Sequence, residues 1–381
     1  MKSKLLLALL CLCGACFAQT YTYSTLVTFP AIDAGPSLPS NLIIDAQGNL
    51  YGGSELGGTY GNGTVYEVSP KGVVTVLHSF ASSKVDGWWS FGTLARDSGG
   101  NLYGSTEYGG SATTCFNLGC GTIFKVTAAG KESVLYRFTN GSDGAFPVAG
   151  LARDTAGNLF GVSYTSSNET VAFKLTPHGV FTPLYTFNVD LHGDYQLIRN
   201  QAGNIFGNLY ASDTTGNGSV FELTPQGVET SLYTFNGSVD GGDPTGKLTQ
   251  DAKGNLYGTA VLFGASGGGV VFKIDASGMY SVLYSFCQLA SCADGTVPAS
   301  WLTLDSAGNL YGVTTSGGST NNGVFYKIAP NGTETVLYNF AADQNPLNQE
   351  TGLVMDKAGN FYAATYSGGD GAGSIYKLTK H

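Results

Sequence analysis

The sequence has few charged residues. Asp, Glu, Lys and Arg account for only 12% of its 381 positions, and acidic side chains outnumber basic ones by 27 to 18. Without the two lysines of residues 1–18, 16 basic side chains remain and the net charge is −11. A protein this acidic repels the phosphates of nucleic acids and anionic membranes, so neither is expected as a partner.

Histidine is also scarce, which argues against metal catalysis. The four residues are His78, His178, His192 and His381, and none has a partner at the spacing of metal ligands. No metal site and no cofactor are therefore predicted, while a structural or channel cation stays open. Acidic turns do recur in the chain, but each offers one carboxylate where a calcium loop needs several oxygen ligands.

Helical periodicity is missing as well. Beyond residues 1–18, no stretch follows a helical pattern for more than about three turns. What the sequence has instead is 56 glycines, 22 tyrosines and 21 phenylalanines. This composition is typical of many short strands joined by turns, and an all-β protein is predicted.

Residues 1–18 have the pattern of a signal peptide. Lys2 and Lys4 precede the apolar residues 5–12, and small residues allow cleavage before Gln19. The apolar run is too short to span a membrane, and no later segment is long enough. We expect a secreted or periplasmic protein. Lipidation at Cys16 is less favoured, because Cys13 stands where a lipoprotein signal usually has Leu.

Seven copies of one motif follow. Each reads Asp-x-x-Gly-Asn, then an apolar residue, an aromatic residue and usually Gly, as in residues 305–312; the fourth copy opens with Asn200. The copies are centred on Asn49, Asn101, Asn158, Asn204, Asn255, Asn309 and Asn360. Their mean spacing of about 52 residues is in the range of propeller blades.

Each copy carries four strand-like runs, and the ends of the chain show how the copies are arranged. The seventh copy stops after its third run, at Leu378, and the missing fourth run stands at residues 26–29. A closed ring explains both ends and hides the sheet edges. The sequence predicts one domain over residues 19–381: a seven-bladed β-propeller with four antiparallel strands per blade, in which the N-terminal strand completes the last blade.

Such a ring has two different faces. The run that ends at the Asp is innermost, so the two short turns of each blade share one face, here called the short-turn face. The two longer connections share the other, the long-loop face. Function in propellers usually belongs to such loops and to the channel mouth.

Four cysteines lie beyond residue 18, and they form two C-x4-C pairs in unusually long loops. The pairs are Cys115 with Cys120 and Cys287 with Cys292. In an exported protein they predict two local disulfides. A four-cysteine zinc site is less favoured, because loops from different blades would have to converge.

The repeat resembles the GloVer tandem repeat of exported bacterial "choice-of-anchor" proteins. The residues that carry the resemblance are Asp-x-x-Gly-Asn-Leu-Tyr-Gly, the Gly-Gly after it, the Val-Phe-Lys run, the Thr-Pro-x-Gly turn and Val-Leu-Tyr-x-Phe followed by Asp-Gly. The turn is also similar to that of NHL-type propellers. The resemblance implies a surface or secreted location and brings no general activity. Because no anchoring tail precedes His381, a released or periplasmic protein is expected. Blades three and four lack the Gly-Gly.

Three arginines occupy one register. Arg96, Arg153 and Arg199 each stand directly before the first turn position of consecutive blades. Ion pairs with the Asp of their own or a neighbouring turn are favoured. An anion site near the short-turn end of the channel is the alternative.

Aromatic residues in the loops are the main candidates for ligand binding. Trp88, Trp89, Tyr108 and Phe116 fall in long connections, and Trp301 precedes the inner-strand Leu302. Flat rings beside polar groups suit sugar stacking, and protein interfaces use the same residue types; alternatively, the rings only pack their own loops. We predict a monomeric binding module for an extracellular glycan or protein, acting through the long-loop face.

A hydrolase or lyase acting on extracellular polysaccharide is the alternative function, and it is less favoured than binding. Glu55 and Glu107 start the Gly-rich loops of adjacent blades and are the candidate catalytic carboxylates. Their separation would decide whether they serve glycoside cleavage. No nucleophile elbow, phosphate loop or dinucleotide fingerprint occurs in a usable context.

Overall fold

The structure, a computed structural model, describes residues 20–30, 35–81, 86–90, 92–110, 115–147, 149–165, 169–188, 196–209, 216–344, 352–366 and 371–381. The predicted signal peptide, Cys16 and His192 lie outside the described residues. The described strands form seven antiparallel blade sheets that follow one another around a ring, and one separate two-stranded sheet in a connection of blade two. This confirms the predicted all-β, seven-bladed propeller.

The strands are numbered in chain order. The N-terminal strand is β1 (Tyr21–Thr28). Blade one contains β2 (Pro36–Pro39), β3 (Ile43–Ile44), β4 (Leu50–Gly57), β5 (Thr64–Val68) and β6 (Val74–Ser79). Blade two contains β7 (Gly87–Trp88), β8 (Ala95–Arg96), β9 (Leu102–Thr106), β10 (Tyr108–Gly109), β11 (Thr122–Val126) and β12 (Glu132–Arg137). Blade three contains β13 (Ala152–Arg153), β14 (Leu159–Tyr164), β15 (Thr170–Leu175) and β16 (Phe181–Phe187).

The remaining blades repeat the four-strand pattern. Blade four contains β17 (Ile198–Arg199), β18 (Ile205–Leu209), β19 (Ser219–Leu223) and β20 (Glu229–Thr234). Blade five contains β21 (Gly242–Gln250), β22 (Leu256–Leu262), β23 (Val270–Ile274) and β24 (Tyr280–Ser285). Blade six contains β25 (Thr303–Leu304), β26 (Leu310–Val313), β27 (Val324–Ile328) and β28 (Glu334–Asn339). Blade seven contains β29 (Val354–Met355), β30 (Phe361–Thr365) and β31 (Ser374–Lys380). Short 3-10 helices lie at Cys115–Asn117, Ala290–Cys292 and Ala342–Gln344.

The N-terminal strand closes the ring. β1 pairs antiparallel with β31, from Tyr21 opposite Lys380 to Thr28 opposite Ser374. It is therefore the outermost strand of blade seven, in the order β1-β31-β30-β29. Closure by the N-terminal strand is confirmed, and it covers an edge that would otherwise expose unpaired backbone groups.

The glycine of the Leu-Tyr-Gly run is required by close packing within each blade. A methyl group on Gly104 would lie only 2.6 Å from the Phe124 ring of the third strand. The same third-strand ring crowds the equivalent glycine in other blades, at Gly52, Gly161, Gly207, Gly258 and Gly312. The aromatic residue of the third strand is thus buried over the glycine, which anchors the core of the blade.

The acidic turns are built by the side chain of their first residue. Asp305 Oδ1 accepts hydrogen bonds from the backbone amides of Ala307 and Asn309, at 2.9 and 2.8 Å. Its Oδ2 accepts from Asn309 Nδ2 at 2.8 Å and from the Tyr311 hydroxyl at 3.1 Å. Burial opposes ionisation of Asp305, but these hydrogen bonds outweigh it and lower the pKa. The Asp, Asn and Tyr of the motif therefore form one network that caps the turn.

The Asp-Gly pairs after the outer strands are also turn elements. Asp143 accepts hydrogen bonds from the Tyr136 hydroxyl at 3.0 Å and from the amides of Thr139 and Gly141 at 2.9 and 3.0 Å. Asp240 and Asp294 receive the equivalent tyrosines, Tyr233 and Tyr284. The Tyr of Val-Leu-Tyr-x-Phe thus ties the outer strand to the connection that leads to the next blade.

The junctions between outer strands alternate around the ring. At three junctions the outer Tyr stacks on an aromatic ring of the next blade: Tyr136 on Phe181, Tyr233 on Tyr280 and Tyr338 on Tyr23. At the three junctions in between, the next blade has a glutamate where the others have the aromatic ring: Glu132, Glu229 or Glu334. The junction between blades seven and one is aliphatic, because Val27 and Val74 belong to one apolar cluster there.

Candidate functional site

The long-loop face is built up by connections that extend the second strand of a blade. In blade one, β2 pairs with β4; in blade two, β7 pairs with β10. The second pairing places Trp88 directly opposite Tyr108. The backbone of Glu107 continues this ladder by donating to the Trp89 carbonyl at 3.0 Å.

Four aromatic residues meet at this place, and we call them the rim cluster: Trp88, Trp89, Tyr108 and Phe146. The Trp88 ring centroid lies 4.8 Å from that of Tyr108 and 5.4 Å from that of Trp89. Tyr108 also contacts Trp89 at 5.5 Å and Phe146 at 5.4 Å. All four side chains are half-buried. The structure therefore brings together three of the aromatic residues predicted from the sequence.

Two members of the rim cluster have a backbone that disfavours large side chains. Trp89 has a φ of 61° and Phe146 a φ of 49°, in the left-handed region. Phe116 beside the cluster has a φ of 58°, and its ring is 84% exposed. Each such residue costs on the order of 1 kcal/mol and persists only where the surrounding structure enforces it. The same left-handed backbone occurs at the equivalent position of two other connections, at Asp243 (φ 52°) and Val297 (φ 58°), so it belongs to the repeat and not to the rings.

The first disulfide supports the rim cluster. Cys115 is bonded to Cys120, and the loop between them supplies the Leu118 carbonyl, which accepts from Gly109 N at 3.0 Å and from Trp88 Nε1 at 3.5 Å. The Cys120 carbonyl accepts from Phe146 N at 2.8 Å. Cys287 is bonded to Cys292 in the connection between blades five and six. Both predicted disulfides are confirmed, and disulfides are typical of extracellular or periplasmic proteins.

Glu55 and Glu107 occupy equivalent positions at the ends of the second strands of blades one and two. Glu55 is buried at 7% exposure and accepts a hydrogen bond from the Tyr366 hydroxyl at 3.0 Å. Burial raises the Glu55 pKa; the bond from Tyr366 opposes this, and the charge of Glu107 adds to it. Burial also raises the pKa of Glu107, against a hydrogen bond with Tyr108. The two acids are thus close enough to influence each other.

Sequence reasoning missed Tyr366 and Phe146. Tyr366 holds the position of Glu55 in blade seven, so aligning the seven repeats would have found it. Phe146 stands three residues after Asp143, as Trp89 does after Asp86, so aligning the Asp-Gly connections would have found it too. Its contact with Tyr108 comes from the neighbouring blade, which only the fold brings near.

Trp301 does not join the rim cluster, because it lies in the channel. It is 7% exposed, and its Nε1 donates to the Leu353 carbonyl at 3.3 Å. A side chain on Gly352 would overlap its indole, and Lys247 Nζ lies 5.7 Å from its ring centre. Residues in this register of the other blades also contact one another, as Gln196 does Gly150. Trp301 therefore packs at the inner strands between blades six and seven.

The three arginines lie at the short-turn face. Arg96 Nη2 is 3.6 Å from Asp45 Oδ2, the ion pair with a neighbouring turn that the sequence favours. Arg153 and Arg199 each donate from Nη1 to the carbonyl of the next residue, at 3.3 and 3.4 Å. An anion site at these residues stays a prediction.

Metal ligands are not clustered in the part of the chain that the structure describes. Within it, no group of three or more His, Cys, Asp or Glu side chains could hold a metal ion. Nor does any described helix have the length and apolar character needed to cross a membrane.

The ring of seven four-stranded blades, with its irregular loops gathered on one face, defines a protein of the β-propeller class. Within that class, residues 13–197 and 193–381 match the model of the Gloeobacter/Verrucomicrobia repeat. The chain belongs to this family, which confirms the resemblance to the GloVer repeat. No curated protein matches the sequence.

Solved structures of similar shape are only distantly related in sequence. The extracellular domain of the putative one component system BT4673 from B. thetaiotaomicron is 13% identical with a TM-score of 0.58; the match covers 94% of this chain and 40% of that one. A structural genomics protein of unknown function from Bacteroides thetaiotaomicron VPI-5482 is 14% identical with a TM-score of 0.49, covering 95% and 76%. The PQQ-bound aldose sugar dehydrogenase of Streptomyces coelicolor is 13% identical with a TM-score of 0.47, covering 95% and 99%. The first likeness shows that the two proteins share a fold and nothing more.

Proposed function

We propose that this propeller is an extracellular or periplasmic binding module that holds a glycan at the rim cluster. The observation that carries the proposal is the grouping of Trp88, Trp89 and Tyr108 on the long-loop face, with centroids 4.8 to 5.5 Å apart. All three side chains are half-buried, so part of each remains open to solvent. Aromatic surfaces of this kind bury the apolar faces of sugar rings.

Polar groups beside the rings supply hydrogen bonds for sugar hydroxyls. Glu107 follows β9 and precedes Tyr108, so its carboxyl group belongs to the same rim. A carboxylate accepts two or more hydroxyl donors, and a tyrosine hydroxyl both donates and accepts. A few placed polar groups among apolar ones are what small-ligand sites generally show.

The rings are also held in place before a ligand arrives. The Cys115–Cys120 loop bonds to the backbones of Gly109 and Phe146, and Trp89 N donates to the Asn62 carbonyl at 3.2 Å. Fixing these rings in the free protein reduces the ordering cost of binding.

The test is titration of the mature protein, residues 19–381, with a panel of neutral oligosaccharides by calorimetry. Replacing Trp88 and Trp89 together by Ala should weaken binding of any hit by about 30-fold, the cost of a central aromatic contact. Tyr60→Ala is the matched control, because Tyr60 is a 59% exposed aromatic residue of a blade-one loop. Unchanged affinity in the double variant would contradict the proposal. If the protein bound other proteins and no glycan, the ligand would be a protein and the glycan assignment would be wrong.

Hydrolysis of the bound glycan is the second candidate, favoured by one observation. Burial keeps the pKa of Glu55 and of Glu107 raised, and the charge of one raises the other. General acid–base cleavage of a glycosidic bond uses two carboxyl groups, and the one that acts as the acid needs a raised pKa. If a glycan hit is cleaved, Glu55→Gln should abolish turnover while binding persists. Cleavage that survives both Glu55→Gln and Glu107→Gln would exclude these residues.

A further inference from the structure

The residue directly before the first turn position covers the seam between neighbouring blades at the short-turn face. In blades two, three and four this residue is arginine, and its guanidinium lies over the second-strand ring of the preceding blade. Arg96 lies 5.1 Å from the centre of the Tyr51 ring, Arg153 5.3 Å from Tyr103, and Arg199 5.2 Å from Phe160. The ring face attracts the cation, and the planar guanidinium stacks on it.

Two further groups complete this arrangement, which we call the guanidinium seat. Arg96 pairs with Asp45, the turn carboxylate of the preceding blade, at 3.6 Å. It also folds back over Gly100 of its own turn, where an added methyl group would lie 3.4 Å from Arg96 Nη2. A guanidinium seat thus consists of an aromatic ring, a turn carboxylate and a turn glycine.

Blade six has the seat but not the arginine, because Leu304 stands in its place. Leu304 packs in the same apolar cluster as Tyr257 of blade five. It leaves a groove of about 530 Å³ at the short-turn face, lined among others by Tyr257, Asp251 and Gly308. These are the counterparts of Tyr51, Asp45 and Gly100.

Blades five and seven also lack the arginine, and there another polar side chain covers the turn glycine, whereas Gly48 of blade one is met only by Pro70 Cγ at 3.4 Å. In blade five, Gln250 Nε2 donates to the Gly254 carbonyl at 3.3 Å. In blade seven, Lys380 Cδ would lie 3.1 Å from a methyl group on Gly359. Over Gly308 of blade six, the nearest atom to such a methyl group is Pro330 Cγ at 3.3 Å. Among the described residues, therefore, no polar side chain takes the place of the missing guanidinium over Gly308.

The groove lining carries two carboxylates, Asp251 and Asp305, and two lysines, Lys253 and Lys273. Among the described residues no basic side chain forms an ion pair with Asp251. Lys273 lines the groove, but a lysine from the same blade does not block the seat. Tyr103 shows this, because it carries Lys125 at 5.7 Å and Arg153 at 5.3 Å at the same time.

We propose that the groove between blades five and six is a binding site for the guanidinium group of an arginine presented by a partner protein. The partner's arginine would lie over Tyr257 and pair with Asp251, as Arg96 does with Tyr51 and Asp45 within the chain. The site uses the face opposite to the rim cluster, so it does not depend on glycan binding. The protein then has one face for a glycan and one for a protein.

The test uses the mature protein and a capped peptide, acetyl-Gly-Arg-Gly-amide, in saturation-transfer and titration NMR. Leu304→Arg fills the seat from within and should weaken peptide binding at least tenfold, roughly the value of a desolvated cation–π contact. Gln250→Arg is the matched control, because it adds the same charge at the equivalent position of blade five and faces blade four. It should leave binding unchanged. Thermal unfolding of each variant checks that the propeller is intact.

A second variant keeps the proposal falsifiable if Leu304→Arg does not fold. Lys253→Glu removes a cation from the groove lining and should strengthen peptide binding several-fold. No saturation transfer to the wild-type protein would overturn the proposal, and so would equal binding by acetyl-Gly-Lys-Gly-amide. Methylguanidinium binding as tightly as the peptide would overturn the assignment to a partner protein.

Discussion

Glu334 shows how burial in a repeat can change the chemistry of one residue. It begins the outer strand of blade six, and its Oε1 is buried without a hydrogen-bond partner in the described structure. Burial, and after it the charge of Asp294, raises the Glu334 pKa to about 7. Below its ordinary pKa of 4.5 the carboxyl group is protonated in both the folded and the unfolded state, and its contribution to folding stability is fully present. That contribution is lost as the pH rises through 7, because the buried group must then ionise in the folded protein.

Glu334→Gln should therefore stabilise the protein above neutral pH and have little effect at pH 4. We expect a gain on the order of 2 kcal/mol at pH 8, less than the full shift implies because the side chain is partly open to solvent. Urea unfolding of both proteins between pH 4 and 9 measures the difference. Glu229→Gln, at the same position of blade four, should gain less. A difference that does not vary with pH would contradict the assignment.

Single residues were predictable from the sequence where the repeat fixes their partners. Asp305, Asn309 and Tyr311 lie within seven positions of one another, so the turn network follows from local spacing. The hydrogen bond to Glu55 does not, because its partner Tyr366 is 311 residues away and meets it only when the ring closes. Trp301 was placed at the inner strand from its position before Leu302, yet its fit over Gly352 of the next blade follows only from the fold.

The loop between Cys115 and Cys120 is the element on which the rim cluster depends most. Both disulfides join residues 5 positions apart. Chain entropy therefore predicts a similar loss of stability when either is removed, about 2 kcal/mol each. Only the first loop supplies carbonyls to Gly109 and Phe146, so only its loss should disturb the aromatic rings.

Replacing Cys115 and Cys120 together by Ser should shift tryptophan emission to longer wavelength, because Trp88 and Trp89 lose their support and become more hydrated. The Cys287→Ser, Cys292→Ser double variant is the control and should keep the wild-type emission. Fluorescence spectra of the three proteins well below their melting temperatures provide the measurement. Equal spectral shifts in both double variants would show that the effect is general destabilisation.

At the scale of the whole molecule, the sequence was sufficient for the architecture. The motif that ends in Asn360, the stop at Leu378 and the matching run at residues 26–29 together predicted the ring and its closure. The groove between blades five and six was not predictable, because it results from what Leu304 leaves uncovered. Open space between blades has no sequence pattern of its own.

Removing the closing strand should open the ring. A chain that starts at Phe29 lacks β1, so it exposes the edge of β31 and loses the stacking of Tyr23 on Tyr376 at 5.3 Å. We expect a lower melting temperature and self-association through the exposed edge. Light scattering and thermal unfolding measure both, and a peptide of residues 20–30 added in trans should reverse them. A shortened chain that remained monomeric with an unchanged melting temperature would contradict this role.

The alternation of outer-strand junctions has a consequence of parity. Two kinds of junction can alternate without a fault only around an even number of blades, and this ring has seven. One junction must break the alternation, and it is the aliphatic contact of Val27 with Val74, at the strand that closes the ring. The seven junctions are therefore not equivalent, and the odd one lies where the ring closes. The closing strand packs on blade one through apolar side chains, while each of the other six junctions contains a stacked aromatic pair or a glutamate. Adding or removing two blades would preserve this mismatch, and adding or removing one would eliminate it.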